Sequence, residues 1–201
     1  MAVRSVSLDA ARLRALAHPL RVQLLALLRI GGAATASGLA QRLGTSSGLT
    51  SYHLRQLADA GLVAEDVERG TARERWWEAA HDTSSYRPSE VPDEATEVVR
   101  WLEREADRIR EQERSTWIAE RSTWSPEWAD VADQSDYYFR VTSEELRSLL
   151  SRVHDTLRTE FARTVERRDG QVPTPDDTEL VRLHVLAFPV REVAGVRMDD
   201  P

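Results

Sequence analysis

Two glycines and the stretches that they end constrain the fold of this chain most strongly. Gly44 follows a short amphipathic stretch, and Gly61 follows a longer one that begins at Ser46. Glycine takes the left-handed backbone conformation that commonly closes a helix, so each glycine predicts a helix end. The residues after Gly61, LVAEDVERGTARERWWEA, form two strand-like runs around a turn at Arg69-Gly70-Thr71. The sequence therefore predicts two helices joined by a short turn and followed directly by a hairpin.

Two further helices precede this unit. The first runs from Leu8 to Ala17 with Ser7 as its candidate N-cap, and it ends because Pro19 pushes the preceding residue out of the α region. Pro19 suits the first turn of the second helix, which ends at Gly31-Gly32. The third helix covers ATASGLAQRLG. This order of helices, with a short glycine-containing turn and a hairpin after the last helix, is typical of a winged helix-turn-helix.

The helix after Gly44, residues 46–60, has two different faces. Thr50, Leu54 and Leu57 lie within about 60° of one another at ~100° per residue, so they face the core. The opposite face carries Gly48, Ser51, Tyr52 and Arg55. Hydroxyl groups and arginine contact base edges in the major groove, and a glycine lets the backbone come close. The pattern predicts a helix that reads double-stranded DNA.

Further candidate contacts flank this recognition helix. Ser46 and Ser47 stand at its amino end, where free backbone N–H groups bind phosphate. The hairpin, residues 62–79, is the predicted wing. It carries Arg69, Arg73 and Arg75 at or beside its tip, within reach of phosphates or a narrow minor groove. A polar helix face alone is more often only solvated. Here the helix order, the turn, the face and the arginines all favour DNA binding.

The second half of the chain is organised differently. Residues 83–92 are predicted to be a linker because this polar stretch holds two prolines. A long helix from Asp93 to about Trp117 carries an apolar stripe surrounded by charge. We expect Val98, Leu102 and Ile109 of this stripe to pair with the same helix of a second copy. A strand YYFRV, a helix opened by the capping box TSEE and a final strand ELVRLHVLAFPV are predicted to follow.

Composition excludes several classes of function. The net charge of −7 divides into +3 over residues 1–80 and −10 over residues 81–201, which favours nucleic-acid binding by the first part. The chain has no cysteine, which excludes thiolate metal sites and cysteine nucleophiles. Nucleophile elbows, phosphate loops and metal triads are not found, so we expect no enzymatic activity, no metal and no cofactor. No apolar run approaches the ~18–20 residues of a membrane span, and the start lacks the features of a signal peptide. A cytoplasmic protein without membrane association is expected.

Three segments resemble the ArsR-type winged helix-turn-helix regulators of bacteria, in particular an actinobacterial branch with a longer carboxyl-terminal region. They are LRALAHPLRVQLLALL, ATASGLAQRLGTSSGLTSYHLRQLADAGLV and ERGTARERWW, within residues 8–80. The resemblance implies a dimeric, sequence-specific transcription regulator, usually a repressor. It also implies DNA contacts by Ser46, Ser47, Ser51, Tyr52, His53 and Arg55, although His53 lies at the edge of the core side and packing is an equal alternative. Founding members sense metals through cysteine or histidine clusters, and this chain departs from that pattern.

These observations predict a mainly α-helical protein with a small β component. A winged helix-turn-helix domain (1–82) is followed by the linker (83–92) and a region of helices and strands (93–201) for dimerisation and possible sensing of an unknown small-molecule effector. Trp101, Trp117, Trp124 and Trp128 are candidates either for such a pocket or, as we favour, for packing at an interface. The alternative function is a winged-helix module that docks a protein, but such modules tend to lose the wing arginines that this chain keeps.

Overall fold

The computed structural model describes residues 3–70, 74–168, 170, 175–193 and 196–197. These residues contain seven α-helices and seven short strands. The helices are α1 (Ala10–Leu16), α2 (Pro19–Gly31), α3 (Ala36–Leu43), α4 (Ser47–Asp59), α5 (Thr96–Glu120), α6 (Pro126–Val131) and α7 (Ser143–Arg168). The strands are β1 (Ser5–Ser7), β2 (Ala34–Thr35), β3 (Val63–Glu65), β4 (Trp76–Ala79), β5 (Thr83–Ser85), β6 (Glu192–Val193) and β7 (Val196–Arg197). No helix in the described part of the chain is long and apolar enough to cross a membrane.

The four predicted amino-terminal helices are confirmed, with a correction at the first cap. Asp9, not Ser7, caps α1, and its carboxylate accepts a hydrogen bond from the Arg12 backbone N–H at 2.9 Å. Pro19 occupies the first turn of α2, as predicted. Gly44 and Gly61 have φ angles of +62° and +68°, the left-handed conformation in which a side chain would be strained. Gly44 ends α3, the helix before the recognition helix, and Gly61 follows the end of the recognition helix α4 itself.

The predicted hairpin is part of a three-stranded antiparallel sheet in the order β2-β4-β3. Ala34 and Thr35 form β2 and pair with Trp77 and Trp76, whereas the sequence pattern assigned them to the third helix. Thr35 also caps α3, since its hydroxyl accepts from the Gly38 N–H at 3.1 Å. The strand thus leads directly into the helix-turn-helix and fixes α3 and α4 against the wing.

The core of this domain lies between the helices and the sheet. Thr50, Leu54 and Leu57 of α4 are all completely buried, which confirms the face assigned to them. Leu54 and Leu57 pack in one buried cluster with residues of α2, the strands and Trp77. This cluster also contains Leu24, Leu28, Leu39, Leu62 and Val63. Each fully buried leucine contributes roughly 1.5–3 kcal/mol relative to exposure. The opposite face of α4 is thereby held outward.

The predicted linker is packed onto the domain instead of lying free. Residues 83–85 form β5, which pairs in parallel with β1 at the amino terminus of the described chain. The Tyr86 hydroxyl donates to Glu103 of α5 at 2.6 Å, and burial together with this carboxylate raises the pKa of Tyr86 to about 12. Composition alone missed this strand because its partner lies 78 residues earlier. The helix-turn-helix and α5 are therefore joined through a structured segment.

The carboxyl-terminal region has little buried core of its own. Its capping box is confirmed, because Thr142 and Glu145 exchange hydrogen bonds of 2.7 and 3.2 Å between side chain and backbone. The two predicted strands at 137–141 and 179–190 are wrong, since both segments lack regular secondary structure. Their sequences favour a strand, but a strand forms only where a second one supplies backbone hydrogen bonds, and the described chain supplies none. After Leu102, only Val165 is buried among the described residues.

Candidate nucleic-acid interface

The predicted recognition face of α4 is open to solvent. Ser46, Ser47, Tyr52 and Arg55 are exposed, and Ser51 is half-buried. Ser46 is the N-cap, and its hydroxyl accepts from the Leu49 N–H at 3.3 Å. An added Cβ at Gly48 would meet no heavy atom within 4 Å, so this position leaves room for close approach. The structure therefore places these five predicted contacts on or beside one accessible surface.

Arg55 lies in a cleft between α4 and the wing. The cleft has a volume of about 350 Å³ and is lined by Thr35, Ala36, Ser37, Ser51, Arg55, Glu74, Arg75 and Trp77. The Arg55 Nε–H donates to the Ser51 carbonyl at 3.2 Å, which directs the guanidinium along the helix. Arg75 approaches from the wing side and lies 3.6 Å from a Glu65 carboxylate oxygen. The fold thus brings Ser51, Arg55 and Arg75 together from two separate elements.

The wing arginines do not share one site. Arg69 lies 3.3 Å from the Asp66 carboxylate and lines a different cleft, of about 280 Å³, with Arg4 and Arg168. The position of Arg69 therefore does not favour contact with the DNA segment that Arg55 would reach. Arg73 was predicted beside Arg75, but it lies outside the described residues.

His53 is on the buried side of α4. It is only 4% exposed, and its ring centroid lies 4.3 Å from that of His18 and 5.2 Å from that of Tyr52. Burial, and then the charges of His18 and Arg21, lower the pKa of His53, which favours the neutral ring. This position corrects the predicted DNA contact in favour of packing, because the side chain has almost no surface for a ligand.

The structure adds candidates that the sequence pattern missed. Leu49 is 45% exposed on the recognition helix, where an apolar side chain suits the methyl group of thymine. At ~100° per residue, Leu49 lies about 140° around the helix from the buried Leu54. The helical period could therefore have placed Leu49 on the exposed side. Thr35 and Ser37, at the start of α3, line the same cleft as Arg55. Their role depends on the pairing of β2 with the wing, which has no local sequence signal.

The residues predicted for a dimer interface make contacts within the chain. Val98 and Leu102 are half-buried against a cluster formed by Leu13 of α1 with Ala95 and Val99. Leu102 also packs against the core of the helix-turn-helix domain. Ile109, two turns further along α5, is half-buried. The stripe that was expected to face a second copy is therefore partly covered by the chain's own α1.

Other candidate sites are weaker. Trp117 and Trp124 pack together with ring centroids 6.0 Å apart, while Trp101 and Trp128 are half-buried. Within the described residues, no three His, Asp or Glu side chains group in a way that suits a metal ion.

The arrangement of α2, α3, α4 and the three-stranded sheet defines a winged helix-turn-helix with an accessible recognition helix. Residues 16–66 match a family model described as a helix-turn-helix domain. The matched residues include α2, α3, α4 and β3, the helix-turn-helix part of this domain.

Three solved structures are similar to parts of the chain. Reduced HlyU from Vibrio cholerae is 29% identical over 34% of this chain and 68% of its own, with a TM-score of 0.31. A second HlyU structure from Vibrio cholerae is 24% identical over 47% of this chain and 86% of its own, also with a TM-score of 0.31. A double mutant of Lactococcus lactis ZitR in apo form is 16% identical over 72% of this chain and 83% of its own, with a TM-score of 0.33. No curated protein matches the chain.

Proposed function

We propose that this protein is a dimeric, sequence-specific repressor whose helix α4 reads the major groove. The observation that carries the proposal is the cleft that is lined by both Arg55 of the recognition helix and Arg75 of the wing. Arginine at the exposed face of such a helix forks onto guanine, whereas an arginine beside it contacts the phosphate backbone. The two side chains therefore have different roles, Arg55 in specificity and Arg75 in positioning.

The charges in and beside the cleft determine how a phosphate would bind there. Glu74 also lines the cleft, and Arg75 has a carboxylate neighbour in Glu65, so the positive charge is partly balanced. A phosphate that enters competes with these carboxylates for the guanidinium groups. Binding should therefore fall steeply with salt, because each phosphate contact releases condensed counterions. The hydroxyls of Ser46 and Ser47 at the amino end of α4 supply further phosphate contacts.

Dimerisation follows from the size of the reading surface. One winged helix covers few base pairs, so useful genomic specificity requires two copies on paired half-sites. In this proposal residues 1–82 bind DNA and residues 93–201 assemble the dimer, with Ile109 on the α5 surface toward the second copy. A charge at Leu102 would also disturb the chain's own packing, so Ile109 is the better position to test. In this proposal the dimer binds across a promoter and excludes the transcription machinery, and the protein thereby acts as a repressor.

The proposal is tested by selecting genomic fragments with the purified protein. We expect enrichment of an inverted repeat whose half-sites are one helical turn, or a multiple of it, apart. A reporter gene placed behind the selected fragment should be expressed less when the protein is present. Enrichment without any repeat would contradict the dimeric mode, and increased expression would contradict repression. Failure to enrich any sequence would favour the alternative, a winged-helix module that docks a protein.

A further inference from the structure

Residues 180–190 expose an unusual amount of apolar surface. Seven large apolar side chains of this segment are 41–72% exposed: Leu180, Val181, Leu183, Val185, Leu186, Phe188 and Val190. A run of this kind is costly in water and marks a surface that a partner covers. The segment pairs with no strand among the described residues.

The segment has the alternation of a strand. Its odd positions form one wholly apolar row, and its even positions include the polar Arg182 and His184. Arg182 lies 2.5 Å from the carboxylate of Glu113 on α5, so the polar side of the segment already has a partner within the chain. The backbone N–H and C=O groups of the segment and its apolar row are therefore open to contact with another segment.

We infer that residues 180–190 pair in antiparallel fashion with the same segment of a second copy, on a two-fold axis at Val185. The inference rests on the dimer proposed above and names its contact surface. In this register Glu179 of each copy faces Arg191 of the other, which gives two symmetric pairs of opposite charge. Arg182 faces Phe188, a pairing suited to a cation–π contact. Two copies also place both apolar rows on one side of the ribbon.

Proline supports this register. Pro189 has no N–H, so it fits only where the paired residues exchange no backbone hydrogen bond. Along an antiparallel pair, hydrogen-bonded and non-hydrogen-bonded positions alternate. Val185 is four residues from Pro189, an even number, so Val185 is also at a non-hydrogen-bonded position. At such a position the two Cα atoms are about 4.5 Å apart. Val185 therefore lies close to its own copy across the axis.

A second copy fits better than the chain's own strand-like segment at 137–141. That segment also carries exposed aromatic side chains, among them Tyr137 and Phe139. It is joined to residues 180–190 through α7, and this connection is long enough to allow pairing within the chain. Pairing within the chain would not require a second molecule, but the two segments are unpaired in the structure. This favours a second copy as the partner. Pairing with residues 137–141 also offers no symmetric match of Glu179 with Arg191.

The absence of native cysteine makes cross-linking a clean test of this register. In the full-length protein, Val185→Cys should form a disulfide-linked dimer under mild oxidation, since disulfides require Cα atoms about 4.4–6.8 Å apart. Leu180→Cys is the matched control. It is more exposed, but in this register its two copies lie ten residues apart along the strand, roughly 33 Å. Cross-linking by Val185→Cys at least tenfold faster than by Leu180→Cys supports the register.

Two further variants keep the inference open to refutation. A Phe139→Cys/Val185→Cys double variant that forms a disulfide within one chain would overturn it, as would equal cross-linking rates of the two single variants. Glu179→Arg should weaken dimerisation by about tenfold, and Glu179→Arg/Arg191→Glu should restore it. A light-scattering dimer that binds the selected DNA but does not cross-link at Val185 would refute the strand pairing while leaving the proposed function intact. A protein that cross-links at Val185 but selects no DNA sequence would refute the proposed function while leaving the strand pairing intact.

Discussion

Replacing Asp82 by asparagine should destabilise the protein substantially, because this carboxylate is buried between two arginines. The Asp82 side chain has no solvent exposure and lies between Arg4 and Arg168. It accepts from the Arg4 backbone N–H at 2.9 Å, from Arg4 Nη2 at 3.2 Å and from Arg168 Nη2 at 3.1 Å. Through these bonds the carboxylate joins Arg4, just before β1, and the end of α7 to the turn between β4 and β5.

The magnitude follows from these contacts. A hydrogen bond to a charged group contributes ~1.5–3 kcal/mol net, and asparagine keeps one of the two acceptor oxygens. Both arginines keep some contact with water, which limits the penalty for losing their carboxylate partner. We therefore expect Asp82→Asn to lower the free energy of unfolding by ~2–4 kcal/mol. For a chain of this length that corresponds to a fall in Tm of roughly 4–16 °C.

The pH dependence has a definite sign. Burial alone would raise the pKa of Asp82, but the hydrogen bonds from Arg4 and Arg168 outweigh it and hold this pKa below its ordinary value. A depressed pKa contributes stability that is present above the unfolded value of about 3.9 and is lost as pH falls through the folded value. The difference between wild type and Asp82→Asn should therefore be full near neutrality and shrink below about pH 4.

Urea unfolding followed by tryptophan fluorescence measures this effect, because Trp77 is buried in the domain core. Asp155→Asn is the matched control, since its carboxylate is 65% exposed and its ion pair with Arg158 contributes little. A variant Asp82→Asn within about 0.5 kcal/mol of wild type at pH 7 would refute the reasoning. So would a difference that grows on acidification.

Two further predictions concern the interface and the assembly. Arg75→Ala should reduce the slope of log affinity against log salt by about 0.9, because one phosphate contact is lost. Arg69→Ala, in the other cleft, should change this slope less. Equal slopes for both variants and wild type would show that the wing does not contact DNA. Ile109→Glu should yield a monomer with an intact winged helix in light scattering and circular dichroism, and an unaffected dimer would move the interface away from α5.

The parts of the fold that sequence predicts well are those with local physical causes. Gly44 and Gly61 end helices because of their backbone freedom, and Thr142 with Glu145 forms the predicted capping box. The core face of α4 follows from the helical period. Each of these features is decided within a few residues of chain.

The missed features depend on distant partners. The strand β2 has only two residues and exists because β4 lies beside it, and β1 pairs with β5 across most of the domain. The same holds for the site. Arg69 and Arg75 look alike in sequence, but the path of the wing sends them to different clefts. His53 sits at the border between two helix faces, where its contact with His18 decides its burial.

The affinity of Arg55→Ala for a selected genomic fragment, compared with random duplex at the same salt, tests the central claim most directly. Loss of a guanine contact should weaken binding to the selected fragment by ~1–3 kcal/mol and binding to random DNA much less. Arg147→Ala, an exposed arginine at the start of α7, is the control and should leave both affinities unchanged. An equal loss on both DNAs would reduce Arg55 to a phosphate contact, and no loss on either would contradict the placement of α4 in the major groove.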